Sequence, residues 1–555
     1  MTAERIADYV ILGSGSAGSV LAARLSEDED VSVLVLEYGG SDRSLFIQMP
    51  SALAIPMNKA RYNWFYETEP EPHLDGRRLI CPRGKVVGGS SSINGMVYVR
   101  GNPLDYERWE QEGGATGWGY RHCLPYFRKA ESFSGGGDAY RGDSGPLQTT
   151  NGPCDNPLYE AFIEAAVQAG YARTEDYNGY RQEGFGRMDR TVGKGRRSSA
   201  ANAYLKPALR RPNLALVTGA LATRILFDGS RATGLEYRRK SKTYRALARR
   251  EVILCGGPVA NPQLLQLSGV GAPALLHELG IDVRHALPGV GENLQDHLEV
   301  RVQQACTQPI TLNGQIGPLS QFLIGLRWLL FKDGLGASNH FEACGFIRTH
   351  AGVKYANAEY HFIPCAISYD AQRIEKRHGY QVYIGPFRSK SRGWVRIRSK
   401  EPTEKPQIQF NYMSHEDDWK EMRACIRLTR EIFAQPAFDP YRGEEIAPGP
   451  DMQSDEQLDA FIRKTVQPAY HASGTCRMGP AEEPMAVVDM AGKVHGLAGL
   501  RVIDSSIMPF IVTGNLNACT IMLAEKLADA VRGREALAPS NAPYFVHPAW
   551  ETKQR

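Results

Sequence analysis

The order of apolar and polar positions near the start of the chain predicts a strand, a helix and a second strand. Residues 8–12 form a short apolar run typical of a buried strand, and residues 31–36 form another. Between them, residues 19–25 carry apolar side chains at the spacing of a helix. This succession predicts a parallel βαβ unit.

Three glycines and one carboxylate lie in this unit at the positions that bind a dinucleotide in Rossmann-type domains. Gly13 permits a tight turn, Gly15 lets backbone approach a pyrophosphate, and Gly18 allows close packing of helix on strand. Glu37 ends the second strand, where a carboxylate accepts hydrogen bonds from a ribose diol. The helix N-terminus offers free N–H groups to phosphates. We therefore predict dinucleotide binding over the alternative of a chance glycine turn.

Two later segments favour a flavin domain over a one-piece nicotinamide domain. Residues 40–125 are rich in loops, and within them residues 83–96 hold many small residues that suit backbone wrapped on a flat ligand. Residues 499–504 read as a strand that ends at Asp504 and leads into an amphipathic helix at 518–531. Asn515 and Asn517 are predicted to cap that helix.

A nucleotide domain built from both ends of the chain implies an inserted domain in the middle. We predict an α/β fold, with a discontinuous Rossmann-like FAD-binding domain and an inserted α+β substrate-binding domain. The first comprises residues 1–155, 195–305 and 465–535, and the second comprises 156–194 and 306–464. Residues 536–555 form a C-terminal tail.

Composition and charge exclude several classes of protein. The 555 residues include 65 Lys and Arg against 61 Asp and Glu, so the net charge of +4 is too dilute for a nucleic-acid partner. The basic cluster at residues 238–250 is interpreted as a solvated hairpin. Ten widely spaced cysteines indicate free buried thiols, no sequence-local metal site and a reducing, cytoplasmic compartment.

The apolar segment at residues 319–331 has two interpretations. Gln321 and Arg327 interrupt it, so it is too short and too polar to cross a bilayer. We favour a packed helix beside a substrate pocket. The alternative is an amphipathic helix in peripheral contact with the inner face of the cytoplasmic membrane.

Together the motifs resemble those of the glucose-methanol-choline (GMC) flavin oxidoreductases over residues 6–535. The resemblance is carried by the N-terminal glycines and by residues 84–94, 256–271, 288–297, 471–479 and 514–515. Within that family, residues 61–72 and 337–343 resemble the bacterial choline dehydrogenases. The resemblance implies FAD, an alcohol substrate with choline favoured, and a quinone or other electron acceptor in place of oxygen. The sequence leaves the oligomeric state open.

Flavin-dependent oxidation of an alcohol needs a group that accepts the hydroxyl proton, which histidine does well near neutral pH. The resemblance places His471 at the reactive face of the flavin beside Asn515, which would donate a hydrogen bond to the alkoxide. Glu299 matches the carboxylate that faces a trimethylammonium group, and Tyr470, Trp64 and His361 are further candidates for the substrate pocket. Glu299 as a surface carboxylate, Trp64 as core packing and Asn515 as a helix cap are the alternatives.

The resemblance and the glycine pattern together assign a set of cofactor-binding residues. The set comprises Gly13, Gly15, Ser16, Ala17, Gly18, Glu37, Tyr38, Trp64, Arg83, Gly88, Gly89, Ser90, Asn94, Gly95, Met96, Val97, Ala222, Asp504, Ser505, Asn515 and Asn517. Ile93 occupies the position of a flavin-linked histidine in a related oxidase, which predicts non-covalent FAD. Tyr38 replaces a usual small residue and is expected to stack on or crowd the adenosine half of FAD.

Three other functions stay open at this stage. The first alternative is a dehydrogenase or oxidase of another primary alcohol. The second is a lyase in which FAD is structural, and the third is a nucleotide-binding protein without turnover. Choline oxidation yields betaine aldehyde, whose hydrate presents a new hydroxyl to the same site. The residues do not decide whether a second oxidation to glycine betaine follows.

Overall fold

Two large sheets organise the protein in the computed structural model, which describes residues 4–367 and 377–555. The first sheet contains Glu4–Leu12, Val33–Glu37, Leu214–Thr218, Leu221–Asp228, Arg231–Arg239, Lys242–Leu254 and Leu500–Val502. The second contains Gly184–Arg187, Leu298–Cys306, Ala343–Ile347, Ala358–Ile363, Gly379–Pro386, Arg442–Ala447 and Gln467–Pro468. Each sheet has its own buried apolar core.

The first sheet joins both ends of the chain. Glu4–Leu12 pairs in parallel with Val33–Glu37 on one side and with Lys242–Leu254 on the other. Leu500–Val502 pairs in parallel with Lys242–Leu254, with Leu500 beside Val252. The predicted βαβ unit and the C-terminal strand are thus confirmed.

Helices from the two ends of the chain also pack together. The helix Ser16–Leu25 lies against Leu516–Val531, and the guanidinium of Arg24 donates to both carboxylate oxygens of Glu525 at 2.9 and 2.8 Å. This partly buried charge pair joins the two helices.

The second sheet is antiparallel in its main ladder, with Leu298–Cys306, Gly379–Pro386, Ala358–Ile363, Ala343–Ile347 and Gly184–Arg187 as successive neighbours. Helices Pro157–Gln168, Glu416–Phe433 and Asp455–Thr465 supply side chains to its core. The predicted combination of a Rossmann-like part and an α+β part is confirmed. The predicted domain boundaries remain a proposal, and Leu298–Cys306 pairs within the second sheet although the prediction places residues 298–305 in the first domain.

Smaller elements complete the fold. The other α-helices are Leu45–Gln48, Ala54–Met57, Pro103–Gln111, Tyr120–Ala130, Lys206–Ala208, Gly257–Leu267, Pro273–Glu278 and Pro318–Phe331. Short strand pairs join Tyr66–Glu67 to Ile80–Cys81, Val192–Gly193 to Arg196–Arg197, Val270–Gly271 to His285–Ala286, and Trp394–Arg396 to Gln407–Gln409. A three-stranded sheet contains Glu131–Phe133, Leu147–Asn151 and Asp189–Arg190.

The helix Pro318–Phe331 is far more exposed than a packed helix would be. Trp328 is its one fully buried side chain, and the Trp328 indole N–H donates to the carbonyl of Gly195 at 2.7 Å. Seven apolar residues on this helix are exposed: Leu319, Phe322, Leu323, Leu326, Leu329, Leu330 and Phe331. The expectation that this helix lies beside a pocket is supported, because Gln321 and Ile324 border the large cavity of the protein. The expectation that the helix is packed is wrong for most of its surface. None of the helices in residues 4–367 and 377–555 has the length and apolar character needed to span a membrane.

Two further sequence predictions are confirmed. The basic residues at 238–250 lie on an antiparallel hairpin, in which Arg239 pairs with Lys242. All ten cysteines are free; Cys154 is partly exposed and the other nine are buried.

Candidate active site

A cavity of about 1560 Å³ lies between the carboxyl ends of the parallel strands and one face of the second sheet. Leu12, Glu37 and Asp504 border it from the first sheet. Glu299 and His361 border it from the second. Open α/β sheets bind their ligands at this edge, so the cavity is the candidate active site.

The glycine turn has the geometry that a dinucleotide requires. Gly13 adopts a φ of +90°, which favours glycine, and a Cβ on it would lie 2.5 Å from the carbonyl oxygen of Cys255. A Cβ on Gly18 would collide with the Gly13 carbonyl, so Gly18 lies behind the cavity and provides close packing. Glu37 accepts hydrogen bonds from the Ser14 N–H at 3.0 Å, the Ser14 hydroxyl at 2.8 Å and the Gly39 N–H at 2.6 Å. Burial raises the pKa of Glu37, and these donors counteract that rise.

The small-residue segment 84–95 packs directly on the glycine turn. A Cβ on Gly89, whose φ is +54°, would lie 2.7 Å from the Cα of Gly15. A Cβ on Gly15 would have no protein atom closer than 3.9 Å and would point into open space at the cavity. The structure therefore requires glycine at 89 for its own packing, whereas the need for glycine at 15 comes from a bound group.

The C-terminal segment closes this end of the cavity. Asp504 accepts hydrogen bonds from the Gly257 N–H at 2.7 Å and from the Asn261 amide at 2.8 Å. The Ser16 hydroxyl donates to the Asn517 amide oxygen at 2.7 Å. Asn515 is the N-cap residue of Leu516–Val531, but its side chain makes no capping hydrogen bond. The predicted side-chain cap is therefore wrong at Asn515, because its amide is turned toward His471.

His471 is held between a second histidine and Asn515. Its Nδ1 lies 3.0 Å from Nδ1 of His297, and its Nε2 lies 3.0 Å from the amide nitrogen of Asn515. The other ring nitrogen of His297, Nε2, lies 3.0 Å from the carbonyl oxygen of Phe387.

These contacts determine which nitrogen of each ring carries the proton. A carbonyl oxygen only accepts, so Nε2 of His297 donates and Nδ1 of neutral His297 accepts. His471 must then donate from Nδ1, and its Nε2 is left with a lone pair that accepts from the Asn515 amide. The network thus presents the basic nitrogen of His471 next to Asn515 in the cavity.

Burial keeps both rings neutral. It lowers the pKa of His297 to about 3 and, together with the charges of neighbouring cations, lowers the pKa of His471 well below its usual value. A neutral His471 has the unprotonated nitrogen that a proton acceptor requires.

The backbone around His471 is fixed by charged groups. Asp296 accepts hydrogen bonds from the His471 N–H at 2.5 Å and from the Tyr412 hydroxyl at 2.8 Å. Arg83 donates to the carbonyl of Tyr470, which adopts a φ of 67° in the left-handed region. Strained backbone at a site of this kind persists only where several contacts enforce it, and here they orient His471.

The second sheet presents charged side chains on the face that borders the cavity. Arg301 pairs with Tyr383, and Tyr383 pairs with His361, so these three share one row across the ladder. Gly385 pairs with Glu359 and also lies against Glu299, since a Cβ on Gly385 would be 3.1 Å from the Glu299 Cα. Glu299 and Glu359 therefore share a neighbouring row, with no side chain between them.

Glu299 is the predicted residue for a cationic group. Burial raises its pKa to about 7, while the positive charges of His361 and Arg301 act to lower it. Burial and the charge of Glu299 raise the pKa of Tyr470 to about 12, which places Tyr470 near this carboxylate. A carboxylate with an aromatic neighbour is suited to hold a quaternary ammonium.

An aromatic stack forms another wall of the cavity. Trp64 lies between Tyr38 and Tyr66, with ring centroids 4.8 and 5.7 Å away. The ammonium of Lys85 lies 5.8 Å from the Trp64 ring centroid. Because Tyr38 follows Glu37, this wall is on the side of the predicted ribose.

The fold brings nearly all the sequence-predicted residues to one cavity. Among them, only Gly18 and Gly88 do not border it, and Gly88 instead donates from its N–H to the Ser14 carbonyl at 2.9 Å. Sequence reasoning gave no role to His297, Arg301, Tyr383 or Glu359. The alternation of side chains along predicted strands is the one signal available for the last three, and it does not reveal which strands are neighbours.

The residues fit a bound FAD. The cavity combines the open space at Gly15, the ribose-type carboxylate of Glu37 and small residues at 89, 90 and 95. The buried amide oxygen of Asn515 makes no hydrogen bond of ordinary geometry among the residues that the structure describes, but it lies close enough to His361 to favour the charged form of that ring.

Comparisons with known proteins agree with this geometry. The N- and C-terminal family models, both described as GMC oxidoreductase, match residues 7–299 and 389–524. An oxygen-dependent choline dehydrogenase from Photobacterium profundum is 56% identical over 550 residues, covering 99% of this chain and 97% of the relative. One from Ectopseudomonas mendocina is 57% identical over 545 residues, covering 97% and 96%.

Solved structures show the same architecture. Pyridoxine 4-oxidase from Mesorbium loti aligns with a TM-score of 0.86 at 31% identity, covering 95% of this chain and 100% of that one. A formate oxidase from Aspergillus oryzae, studied for FAD modification, aligns with a TM-score of 0.89 at 25% identity, covering 95% and 98%. The matched family models span well over half of the sequence, and the chain belongs to the GMC oxidoreductase family.

Proposed function

We propose that the protein catalyses FAD-dependent oxidation of choline to betaine aldehyde. The observation that carries this proposal is that the basic Nε2 of His471 and the partly buried carboxylate of Glu299 border the same cavity. The names of the relatives, oxygen-dependent choline dehydrogenases at 56 and 57% identity, support the same substrate, and they name oxygen as the acceptor of those relatives.

The residues that would hold FAD divide into three groups. The glycine turn and Ser16 would hold the pyrophosphate, Glu37 and Tyr38 would hold the adenosine, and residues 89–97 with Asn517 would hold the flavin half. Bound FAD supplies the acceptor for the hydride that leaves the carbinol carbon. Ile93 is buried against Ile47, Tyr62 and Val86, and its hydrocarbon side chain forms no covalent bond to a flavin, so we propose non-covalent FAD.

The protein's own residues perform the proton chemistry. When the substrate binds, its hydroxyl replaces the Asn515 amide at the lone pair of His471 Nε2 and gives its proton to that nitrogen. The Nδ1 proton of His471 is retained by the hydrogen bond to His297. The amide N–H of Asn515, next to Nε2, stabilises the negative charge that develops on the substrate oxygen. Glu299 attracts the ammonium group, and Tyr470 contributes an aromatic surface beside it.

Anaerobic stopped-flow mixing of the yellow enzyme with choline tests this proposal, with uncharged alcohols such as 3,3-dimethylbutanol as controls. We expect saturable bleaching of the flavin by choline and slow bleaching by the controls. Bleaching by another alcohol but not by choline would show that choline is not the substrate. No bleaching by any alcohol would support a lyase or a protein without turnover. Acid precipitation should release the flavin into the supernatant, whereas colour in the pellet would contradict non-covalent binding.

We further propose that the helix Pro318–Phe331 rests on a phospholipid surface, so that a membrane quinone receives the electrons. Leu319, Phe322, Leu323, Leu326 and Leu330 follow the spacing of one helix face, and all five are exposed. Arg327 is the only charged residue on this helix. The apolar surface continues to the cavity, because Phe46, Ile55 and Leu335 are both exposed and part of the cavity lining.

Co-sedimentation with vesicles of phosphatidylcholine and phosphatidylglycerol tests the contact. We expect Leu323→Glu with Leu330→Glu to abolish vesicle binding and quinone reduction but to leave reduction of a soluble dye unchanged. Ile6→Glu, at an exposed apolar residue of the first sheet, is the matched control. Absence of vesicle binding, or a dimer that the double variant dissociates, would overturn the proposal. Turnover in air measures how far oxygen replaces the quinone.

A further inference from the structure

Glu359 is a buried carboxylate without hydrogen bonds to the described residues. It is 1% exposed, and neither of its oxygens has a hydrogen-bond partner among the described residues. An isolated buried carboxylate is costly unless a positive charge lies beside it. Its Oε1 lies 3.0 Å from Nε2 of His361, although the angle is not that of a hydrogen bond.

His361 connects this carboxylate to the reaction site. It follows Glu359 by two positions on Ala358–Ile363, so the two side chains share a face of the sheet. His361 borders the cavity, and Glu359 does not. Glu359 therefore acts on the cavity through His361.

Several groups act on the His361 ring. Its pKa is raised to about 9 although burial alone would lower it, because the nearby carboxylates and the Asn515 amide favour the charged ring. The groups around it are Glu359 on its own strand, Glu299 and Arg301 on Leu298–Cys306, Tyr383 opposite in the ladder, and Asn515, His297 and His471 from outside these strands. The neutral state of His297 and His471 leaves His361 as the cationic ring of the three.

We propose that Glu359 is a positioning residue that holds His361 as an imidazolium at the cavity wall, where its charge stabilises the developing alkoxide. The proton of the substrate hydroxyl still goes to His471, so His361 neither gains nor loses a proton in the step. This inference rests on the proposed alcohol oxidation.

The net charge of the Glu359–His361 pair should be the same in wild type and in Glu359→Gln, so the variant tests the role of Glu359 without changing the attraction for a cationic substrate. Glu359 and cationic His361 together are neutral, and in the Glu359→Gln variant the new amide and a neutral His361 would together be neutral as well. The attraction of Glu299 for a cationic substrate is then similar in wild type and in the variant. We expect Glu359→Gln to lower the limiting rate of flavin reduction by about 10²-fold near pH 8, the typical loss of one charge-stabilising donor, with little change in KM.

The pH profile supplies a readout that a merely structural role would not move. In wild type the limiting rate should stay flat up to about pH 9 and fall above it as His361 loses its proton. In Glu359→Gln the fall should begin about three pH units lower, near pH 6, because a loss of about 10²-fold at pH 8 corresponds to a ring pKa about two units below that pH; activity should recover below pH 6. Glu359→Asp, which keeps the charge, should retain most of the wild-type profile.

A double-mutant cycle completes the test. If Glu359 acts through His361, Glu359→Gln combined with His361→Gln should be no slower than His361→Gln alone. Three results would each overturn the inference. They are a pH profile of Glu359→Gln that matches wild type, a rise in KM as large as the fall in kcat, and additive rate losses in the double variant. Failure of choline to bleach wild-type flavin would contradict the proposed substrate instead, and the same cycle would then be run with the alcohol that does bleach it.

Discussion

Nδ1 of His471 and Nδ1 of His297 lie 3.0 Å apart, and this contact leaves the basic lone pair of His471 on Nε2. The Phe387 carbonyl determines the arrangement, because it accepts from the far nitrogen of His297. A backbone oxygen therefore controls, through two rings, which nitrogen of His471 takes a proton.

Replacing His297 should slow the reaction by disturbing this tautomer. We expect His297→Ala to lower the limiting rate of flavin reduction by roughly 10- to 100-fold, the usual effect of losing a group that orients a functional histidine. His471→Ala should cost more, about 10²- to 10⁴-fold, because the base itself is absent. FAD content should be unchanged in both variants. Equal rates for His297→Ala and wild type in stopped-flow measurements would contradict the orienting role.

The binding of choline should depend on the charge of Glu299. Its pKa in the folded protein is about 7, so the carboxylate loses its charge as the pH falls through that value. The KM for choline should therefore rise below pH 7, whereas the KM for uncharged 3,3-dimethylbutanol should not. Glu299→Gln should raise the KM for choline by about 10- to 100-fold, corresponding to roughly 1–3 kcal/mol, and remove its pH dependence. Parallel changes for both alcohols would argue against a contact with the cation.

Two glycine substitutions should distinguish an effect on FAD binding from an effect on the stability of the apoprotein. Gly15→Ala places a Cβ in open space, with the nearest protein atom 3.9 Å away, so the apoprotein should fold normally and bind FAD weakly. Gly89→Ala brings a Cβ to 2.7 Å from the Cα of Gly15 at a φ of +54°, so the apoprotein itself should be destabilised. Thermal melting of the apoproteins and FAD titration measure the two effects. Equal melting temperatures for the two variants would refute the distinction.

The C-terminal tail should stabilise both halves of the molecule. Its Phe545 N–H donates to the Tyr180 carbonyl at 2.8 Å, and the Gly352 N–H donates to the Trp550 carbonyl at 2.7 Å. The ring of Tyr544 also packs edge-on against Tyr120. A chain that ends at residue 535 should therefore lose on the order of a few kcal/mol of unfolding free energy. Denaturant titration checks this, and an unchanged midpoint would show that the tail contributes nothing.

The sequence alone predicted a nucleotide site at the glycine turn, and the fold places nearly all the residues of that prediction around one cavity. The spacing of Gly13, Gly15 and Gly18 before a helix, and of Glu37 after the next strand, are local features that backbone geometry imposes directly. The motif that contains His471 likewise indicated the base. Each of these motifs consists of residues that are close in the chain, and the structure brings nearly all of their residues to one cavity.

Only the tertiary structure decided the partners of these residues. The sequence could not pair His471 with His297, and it could not show that Gly385 lies between Glu299 and Glu359, because sheet register joins positions far apart in the chain. It also predicted a packed helix at 319–331, where the structure exposes the apolar face, since periodicity reveals that a helix has an apolar side but not what covers it. The sequence thus determined which chemical groups the protein possesses, and the folding of distant strands onto one cavity decided which of them act together.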